Sequence, residues 1–256
     1  MTDLLINEKL LKDIDLIILD KDGTIIDAHF YWASMIRLRG DAVLRHLKVS
    51  PSAKANVFNS FISSLGVDDS GYRLKPQGPV GIKPRDFIID TAVENLKSLQ
   101  YNISREEIVE IFLTVDRESK TNLLPLLKLL PGVETFLKAA HTNNIKLAIA
   151  TTDISTRAQA ALEALKLDNL FSFIAGADSI ENAKPSPEIA FLILNKLDIS
   201  PEKTVMIGDH SVDLQMATNS KLKAGIGVAT GMLTREELSI DTDYLINSFL
   251  ELTTTI

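Results

Sequence analysis

The residues Leu16-Ile-Ile-Leu-Asp-Lys-Asp-Gly-Thr24 give the clearest indication of the fold class of this chain. Its first four residues are apolar and rich in branched side chains, without the polar alternation of a half-exposed strand. Such a run predicts a parallel β-strand that is buried on both faces. Two acidic residues and a glycine follow at once, so strongly polar side chains stand directly at the end of the strand.

The same pattern returns along the second half of the chain, separated by amphipathic helical stretches. The predicted strands are Lys146–Ala150, Phe171–Ala175, Thr204–Ile207, Ala224–Val228 and, more weakly, Tyr244–Ile246. The predicted helices are Val133–His141, Thr156–Leu165 with Ser155 as its N-cap, Pro187–Leu197 and Val212–Ala217. Alternating strands and helices predict an α/β protein, with a Rossmann-like parallel sheet core flanked by helices.

The segment from residue 28 to residue 128 shows no comparable buried strand. Its predicted helices are Tyr31–Leu47, Ala53–Leu65, Ile88–Leu99 and Glu106–Asp116, the last opened by a capping-box pattern at Ser104–Glu107. About 100 helical residues form a domain in their own right. We therefore expect a core domain from residues 1–27 and 129–256, with an all-helical domain inserted at residues 28–128.

The composition excludes several classes of protein. The chain has 256 residues and no cysteine, which rules out a disulfide scaffold, a thiolate zinc site and a cysteine nucleophile. Its net charge of -7 and pI of about 5.2 argue against general nucleic-acid binding. No apolar run approaches the roughly 20 residues of a membrane span, and charged residues interrupt the first 15 positions. The expectation is a cytoplasmic protein without a signal peptide.

Asp20 and Asp22 are the first candidates for chemistry. Carboxylates at positions i and i+2 point the same way from an extended chain, and Gly23 permits a sharp turn. Two carboxylates at a buried strand end repel each other, and a divalent cation would relieve that repulsion. Asp20 could then attack phosphorus while Asp22 donates a proton to the leaving oxygen. The alternative is a turn whose aspartates cap the next helix.

Two further segments carry groups that suit a phosphate. Thr151-Thr152-Asp153 follows the second predicted strand, where hydroxyl and backbone N–H groups can hold phosphate oxygens. Lys184 stands just before a predicted helix, where a cation gains nothing from the helix dipole and so suggests an anionic partner. The alternatives are ordinary helix caps for the threonines and a solvated surface position for the lysine.

The fourth segment is acidic and follows the strand Thr204–Ile207. Asp209 and Asp213 are four residues apart, so they can share one face of a helical turn. Carboxylate oxygens without cysteine favour a hard cation such as Mg²⁺. The alternative makes Asp209 a helix N-cap and leaves Asp213 solvated.

Taken together and in this order, the four segments resemble the motifs of the haloacid dehalogenase superfamily, over residues of about 11–27 and 129–250. The resemblance implies that Asp20 forms an aspartyl-phosphate and that Asp22 acts as general acid and then as base. It also implies two sets of ligands. The phosphoryl group would be held by Asp20, Gly23, Thr151, Thr152 and Lys184. Mg²⁺ would be held by Asp20, Asp22 through its backbone carbonyl, Asp209 and Asp213.

The inserted helices look like the helical cap of that superfamily, which supplies substrate contacts. His29, Lys83 and Arg85 are candidates for such contacts, and the alternative for Lys83 and Arg85 is an ordinary solvated position. The stretch from Asp20 to Trp32 is similar to the phosphoglycolate-phosphatase-like subgroup, and the resemblance implies a Mg²⁺-dependent phosphatase of a small phosphorylated metabolite. Two alternatives stay open: a sugar phosphomutase that uses the same aspartyl-phosphate, and a catalytically silent binding protein. No nucleic-acid or membrane partner is expected, and the protein would be a monomer or homodimer.

Overall fold

A computed structural model describes residues 2–75, 78–80 and 83–255. The chain divides into two compact units, one made of Met1–Ala28 with Leu127–Ile256 and the other of His29–Leu126. These boundaries lie within two residues of the division expected from the sequence. The roles of the two units, as catalytic core and as cap, remain predictions.

Most strands of the first unit form one parallel sheet. The strands are β1 (Asp3–Ile6), β2 (Lys9–Leu11), β3 (Leu16–Leu19), β4 (Lys146–Ala150), β5 (Phe173–Ala175), β6 (Thr204–Gly208), β7 (Ala224–Val228), β8 (Leu245–Ile246) and β9 (Leu252–Thr255). Six of them pair in the order β5-β4-β3-β6-β7-β8, every pair parallel. The predicted α/β fold class, with a Rossmann-like parallel sheet, is confirmed.

The helices are α1 (Ala28–His46), α2 (Pro51–Ser64), α3 (Arg85–Ser98), α4 (Arg105–Thr121), α5 (Val133–Thr142), α6 (Ser155–Ala164), α7 (Glu188–Leu197), α8 (Ser211–Asn219) and α9 (Arg235–Leu238). The N-cap predicted for α6 was wrong. Helix α6 begins at Ser155 itself, with Ile154 at the N-cap position and no side-chain cap. The Ser155 hydroxyl instead donates to Asp178, 2.8 Å away, because that carboxylate also accepts the Ser155 N–H.

Strand β3 lies at the centre of the sheet because all four of its residues are apolar and fully buried. Leu16 pairs with Lys146 of β4 on one side and with Thr204 of β6 on the other. The chain therefore leaves β3 for one half of the sheet and later returns to build the other half. Such a switch point opens a crevice at the carboxyl ends of the strands, where ligands bind in open α/β sheets.

The second sheet of this unit was not predicted. Strands β2, β1 and β9 form a small antiparallel sheet in which Leu4 pairs with Leu11 and with Thr254. The sequence signal is weak because β2 has three residues, two of them exposed, and because the partner strand lies at the other end of the chain.

The inserted unit is helical, with α2, α3 and α4 packed in sequence. Its predicted capping box is confirmed: Ser104 accepts the Glu107 N–H at 3.1 Å, and the Glu107 carboxylate accepts the Ser104 N–H at 2.8 Å. Among the residues that the structure describes, no helix is long and apolar enough to cross a membrane.

Candidate active site

Three of the predicted site residues stand at adjacent strand ends. Asp20 follows β3, Thr151 follows β4 and Asp209 follows β6, and all three are buried. The pairing of the sheet continues into this edge, since Asp20 N–H donates to the Ile207 carbonyl at 3.0 Å and Thr151 N–H to the Ala175 carbonyl at 3.1 Å. These bonds extend the pairing of the sheet to the backbone of Asp20 and Thr151.

Lys184 joins the site from the segment before α7. Its Nζ lies 2.7 Å from Asp20 Oδ1 and 2.5 Å from Asp213 Oδ1, and it donates to the Ala150 carbonyl at 2.9 Å. The lysine side chain is only 2% exposed, so the solvated alternative is wrong. A buried ammonium needs several partners to offset its lost hydration, and the strand ends supply them.

Asp213 is held by the first turn of α8. Its Oδ2 accepts the backbone N–H of His210 at 3.2 Å, while the His210 ring accepts the Val212 N–H and caps the helix. Gly208 makes this approach possible, since a Cβ at that position would lie 2.5 Å from Asp213 Cγ. Asp213 is almost fully buried and Asp209 is not the N-cap, so both alternative roles are wrong.

Asp209 sits in a space kept open by two glycines. Its Oδ1 accepts the Thr24 hydroxyl at 3.1 Å. A Cβ at Gly23 or at Gly231 would lie 2.5 Å from Asp209 Cγ, so a side chain at either position would displace the carboxylate. Gly23 also has φ +93, a left-handed conformation that favours glycine.

Three carboxylates in this site are close enough to share one cation. Asp20, Asp209 and Asp213 each offer an oxygen, and these atoms lie within 4.8 Å of one another with all three residues buried. Lys184 contacts two of the three, so the cluster keeps excess negative charge. An all-oxygen donor set of this kind suits a hard divalent cation, and the residues therefore fit Mg²⁺.

The close approach of these buried carboxylates and Lys184 shifts their pKa values. Burial raises the pKa of Asp20 to about 7, with Lys184 opposing the rise and Asp213 adding to it. Burial, followed by Asp20 and Asp213, also raises the pKa of Asp209 well above its usual range. Burial lowers the pKa of Lys184, but the two neighbouring carboxylates outweigh it, so the net pKa lies above its ordinary value. The ammonium therefore stays charged while the carboxylates compete for it.

The raised pKa of Asp20 predicts a pH dependence of stability. The pKa of this carboxyl is 3.8 without the fold and about 7 within it. The folded chain therefore holds this proton more tightly, and the free energy of unfolding falls as pH rises through that window. We expect the Tm of metal-free wild type, measured against Asp20→Asn by circular dichroism, to fall between about pH 5 and about pH 8.

Added Mg²⁺ should reverse this trend, because a cation binds the carboxylate and competes with the proton. The rise in Tm that Mg²⁺ produces in wild type should therefore be larger at about pH 8 than at about pH 5. An equal rise at both pH values, or a wild-type Tm that tracks Asp20→Asn throughout, would contradict the assignment.

The other predicted core residues occupy this edge in different ways. Thr151 Oγ1 accepts the Asp153 N–H at 3.1 Å, which leaves its own proton able to reach a phosphoryl oxygen. Thr152 is exposed beside it. Asp22 Oδ2 pairs with Lys21 at 2.6 Å, and the side chain of Asp22 is outside the group of three carboxylates. Its expected ligand to the metal is the backbone carbonyl, which remains a prediction.

The three candidates for substrate contacts belong to the inserted unit. His29 is buried, and its Nδ1 accepts the Leu74 N–H at 3.2 Å. Lys83 is exposed with its Nζ 5.8 Å from the centre of the Phe87 ring, and exposed Arg85 pairs with Asp116 at 2.7 Å. Their proposed contact with substrate stays a prediction.

Sequence reasoning did not assign Lys21, Thr24 or Gly231 to this site. Thr24 and Gly231 both shape the surroundings of Asp209. Gly231 stands three residues beyond β7, so the rule that ligands bind at strand ends would have found it. Lys21 is a cation between two aspartates, Asp20 and Asp22, and that charge pattern was the available signal.

The chain is similar to one protein family and to several individual proteins. The family model described as haloacid dehalogenase-like hydrolase matches residues 14–221. Pyrophosphatase PpaX of Halalkalibacterium halodurans is 31% identical over 150 residues, which cover 57% of this chain and 68% of that protein. A phosphorylated carbohydrates phosphatase of Thermotoga maritima is 34% identical over 114 residues (44% and 53%). A phosphoglycolate phosphatase of Salmonella paratyphi A is 29% identical over 125 residues (48% and 49%). The chain thus spans about half the length of the last two relatives.

A solved structure extends the likeness to both units. The crystal structure of a protein described as a predicted phosphoglycolate phosphatase, from Haemophilus somnus, superposes with a TM-score of 0.66. The alignment covers 93% of this chain and 96% of that one at 20% identity. At that identity the likeness concerns the fold.

Proposed function

Since this chain belongs to the haloacid dehalogenase-like hydrolase family, we propose that it is a phosphatase that hydrolyses a small phosphomonoester through an aspartyl-phosphate on Asp20. One observation carries the proposal. Asp20 is buried at the end of the central strand, bonded through one oxygen to Lys184, within reach of two further carboxylates.

The two carboxylate oxygens of Asp20 have different roles in the proposed reaction. Lys184 holds Oδ1, so Oδ2 is the atom that attacks phosphorus. As the Asp20–phosphorus bond forms, the bond from phosphorus to the leaving oxygen breaks, and Asp22 gives that oxygen a proton. Asp22 then takes a proton from water, the water oxygen attacks phosphorus, and phosphate leaves Asp20 as a free carboxylate.

The remaining residues stabilise charge on the transferring group. Thr151 donates to the phosphoryl oxygens, and Lys184 does so by giving up its contact with Asp213, since its three N–H groups otherwise contact Asp20, Asp213 and the Ala150 carbonyl. Thr152 and Gly23 line the same loops, and Asp209, Asp213 and Asp20 would hold Mg²⁺ together with the backbone carbonyl of Asp22. A bound Mg²⁺ would neutralise part of the negative charge and so weaken the repulsion between the phosphoryl group and the Asp20 carboxylate. Rate in phosphoryl transfer comes mostly from positioning and from such charge stabilisation.

The substrate class is supported by the relatives and by the inserted helical unit. The relatives are named for pyrophosphate, phosphorylated carbohydrates and phosphoglycolate, all small phosphorylated compounds. The inserted unit would act as a cap that excludes water and contacts the leaving group through His29, Lys83 or Arg85. The proposed phosphatase is a cytoplasmic monomer or homodimer that binds neither nucleic acid nor membrane.

A panel of phosphorylated compounds tests the proposal. Purified protein with Mg²⁺ is assayed for phosphate release from phosphoglycolate, sugar phosphates, nucleotides, pyrophosphate and p-nitrophenyl phosphate. We expect at least one alkyl phosphomonoester to be hydrolysed, with the ranking identifying the substrate class. A chain that binds Mg²⁺ yet releases phosphate from nothing would overturn the phosphatase, and isomerisation of a sugar phosphate that requires a bisphosphate would establish the phosphomutase.

A further inference from the structure

Lys21 is a buried lysine between the two aspartates of the first motif. The residue is 2% exposed, and its Nζ lies 2.6 Å from Asp22 Oδ2 and 3.3 Å from Asp153 Oδ2. An ammonium without such partners would be very costly to bury. An apolar residue would fill the same space without that cost, so the charge itself needs an explanation.

The partners of Lys21 are themselves held in place. Asp153 Oδ1 accepts from Arg157 Nη1 at 2.8 Å and from the Ile154 N–H at 2.8 Å, which fixes this carboxylate at the start of α6. Asp22, Lys21, Asp153 and Arg157 thus form a row of alternating charges, which we call the Lys21 network. Through it, the position of the Asp22 carboxylate depends on the backbone after β4 as well as on its own loop.

The backbone of Lys21 is equally constrained. Its carbonyl accepts the N–H groups of Ile25 and Ile26, both at 3.0 Å, and Gly23 N–H donates back to the Ile26 carbonyl at 2.8 Å. These bonds close the turn that carries Asp22. The turn fixes the backbone that carries Asp22, and the ion pair with Lys21 restrains its side chain.

The two oxygens of Asp22 differ sharply. Oδ2 is ion-paired with Lys21, whereas Oδ1 is buried and has no hydrogen-bond partner among the residues that the structure describes. Leaving a buried oxygen without a partner is unfavourable, so the ion pair between Lys21 and Oδ2 is what holds the carboxylate in this orientation.

We propose that Lys21 is a positioning residue that holds Asp22 Oδ2 and so fixes the orientation in which the Asp22 carboxyl exchanges protons with the reacting groups. The inference rests on the proposed function. In the first step the Asp22 carboxyl gives its proton to the leaving oxygen as the bond from that oxygen to phosphorus breaks and the Asp20–phosphorus bond forms. In the second step the Asp22 carboxylate takes a proton from the water that displaces phosphate from Asp20.

Lys21→Met, measured with two leaving groups, tests this assignment. An alkyl leaving oxygen needs a proton as it departs, whereas p-nitrophenolate departs as a stable anion. We expect kcat/KM, which reports the transfer step, to fall about 100-fold for the best alkyl phosphomonoester of the panel and less than about threefold for p-nitrophenyl phosphate. Lys21→Arg keeps the charge and should recover at least about tenfold of the alkyl loss.

Lys138→Met is the matched control, because it makes the same substitution at an exposed lysine that pairs with Glu134 on α5 and lies outside the Lys21 network. It should change kcat/KM less than about threefold for both compounds. Equal losses for both leaving groups in Lys21→Met would make the lysine a purely structural group and overturn the inference, as would no loss for either.

Two outcomes keep this test separate from the proposed function. A wild type that hydrolyses nothing overturns both, whereas an active wild type with unselective Lys21→Met losses overturns the role of Lys21 alone. If circular dichroism shows that Lys21→Met does not fold, Asp153→Asn weakens the second partner of Lys21 instead. Its alkyl loss should again exceed its nitrophenyl loss, and equal losses would again overturn the inference.

Discussion

Asp20→Asn is expected to lower kcat by about 10⁴-fold or more for every substrate of wild type, because an amide cannot attack phosphorus. Substrate binding should persist, since Lys184, Thr151 and Asp209 remain. The neutral amide also removes one of three crowded carboxylates, so the variant should be folded and at least as stable as wild type at about pH 8 without metal.

The matched control is Asp15→Asn. Asp15 precedes the same central strand at its opposite end, where its half-exposed carboxylate pairs with Lys203 at 3.1 Å. That variant should retain wild-type kcat. Mass spectrometry of acid-quenched wild type should show one added phosphoryl group that is absent from Asp20→Asn. Turnover by Asp20→Asn within tenfold of wild type would remove Asp20 as nucleophile.

Lys184→Met is expected to give the largest loss of stability. The substitution leaves Asp20 and Asp213 buried without their shared cation, and breaking a buried ion pair in this way typically costs about 3–5 kcal/mol. We expect a fall of that size in the free energy of unfolding, measured by urea titration at about pH 8 without metal. The loss should shrink at lower pH, where the freed carboxyls take up protons, and in the presence of Mg²⁺.

Lys138→Met provides the comparison for this loss. Lys138 pairs with Glu134 on α5 at 2.6 Å, but both side chains are more than half exposed, so solvent screens the pair. Its removal should cost less than about 0.5 kcal/mol. A Lys184→Met loss no larger than that of Lys138→Met would show that Lys184 does not compensate the buried carboxylates. Activity of Lys184→Met should also fall, by about 10²–10³-fold, because a donor to the phosphoryl oxygens is gone.

Local patterns were enough to predict most of the parallel sheet. Leu16–Leu19, Lys146–Ala150 and Ala224–Val228 have the bounds expected from their apolar runs. The capping box of α4 was equally visible, because its two partners are three residues apart. Predictions failed where the interaction joins residues that are far apart in sequence. Strands β1 and β9 pair across almost the whole chain. Ser155 is hydrogen-bonded to Asp178, and the N-cap position of α6 is occupied by Ile154 instead.

The order of the four motifs also determined which residues meet at the sheet edge, since strand-end residues of a parallel sheet converge whatever their distance in sequence. What the sequence left open was the partner of each charge. Lys184 and Asp213 each had a solvated alternative, and only the packing of α7 and α8 against the sheet removed it. The sequence alone did not indicate a role for Lys21. That role depends on its ion pairs with Asp22 Oδ2 and with Asp153, which is more than 130 positions away. A buried charge is stabilised by the protein atoms that take the place of its hydrating water, and only the tertiary structure determines which atoms these are.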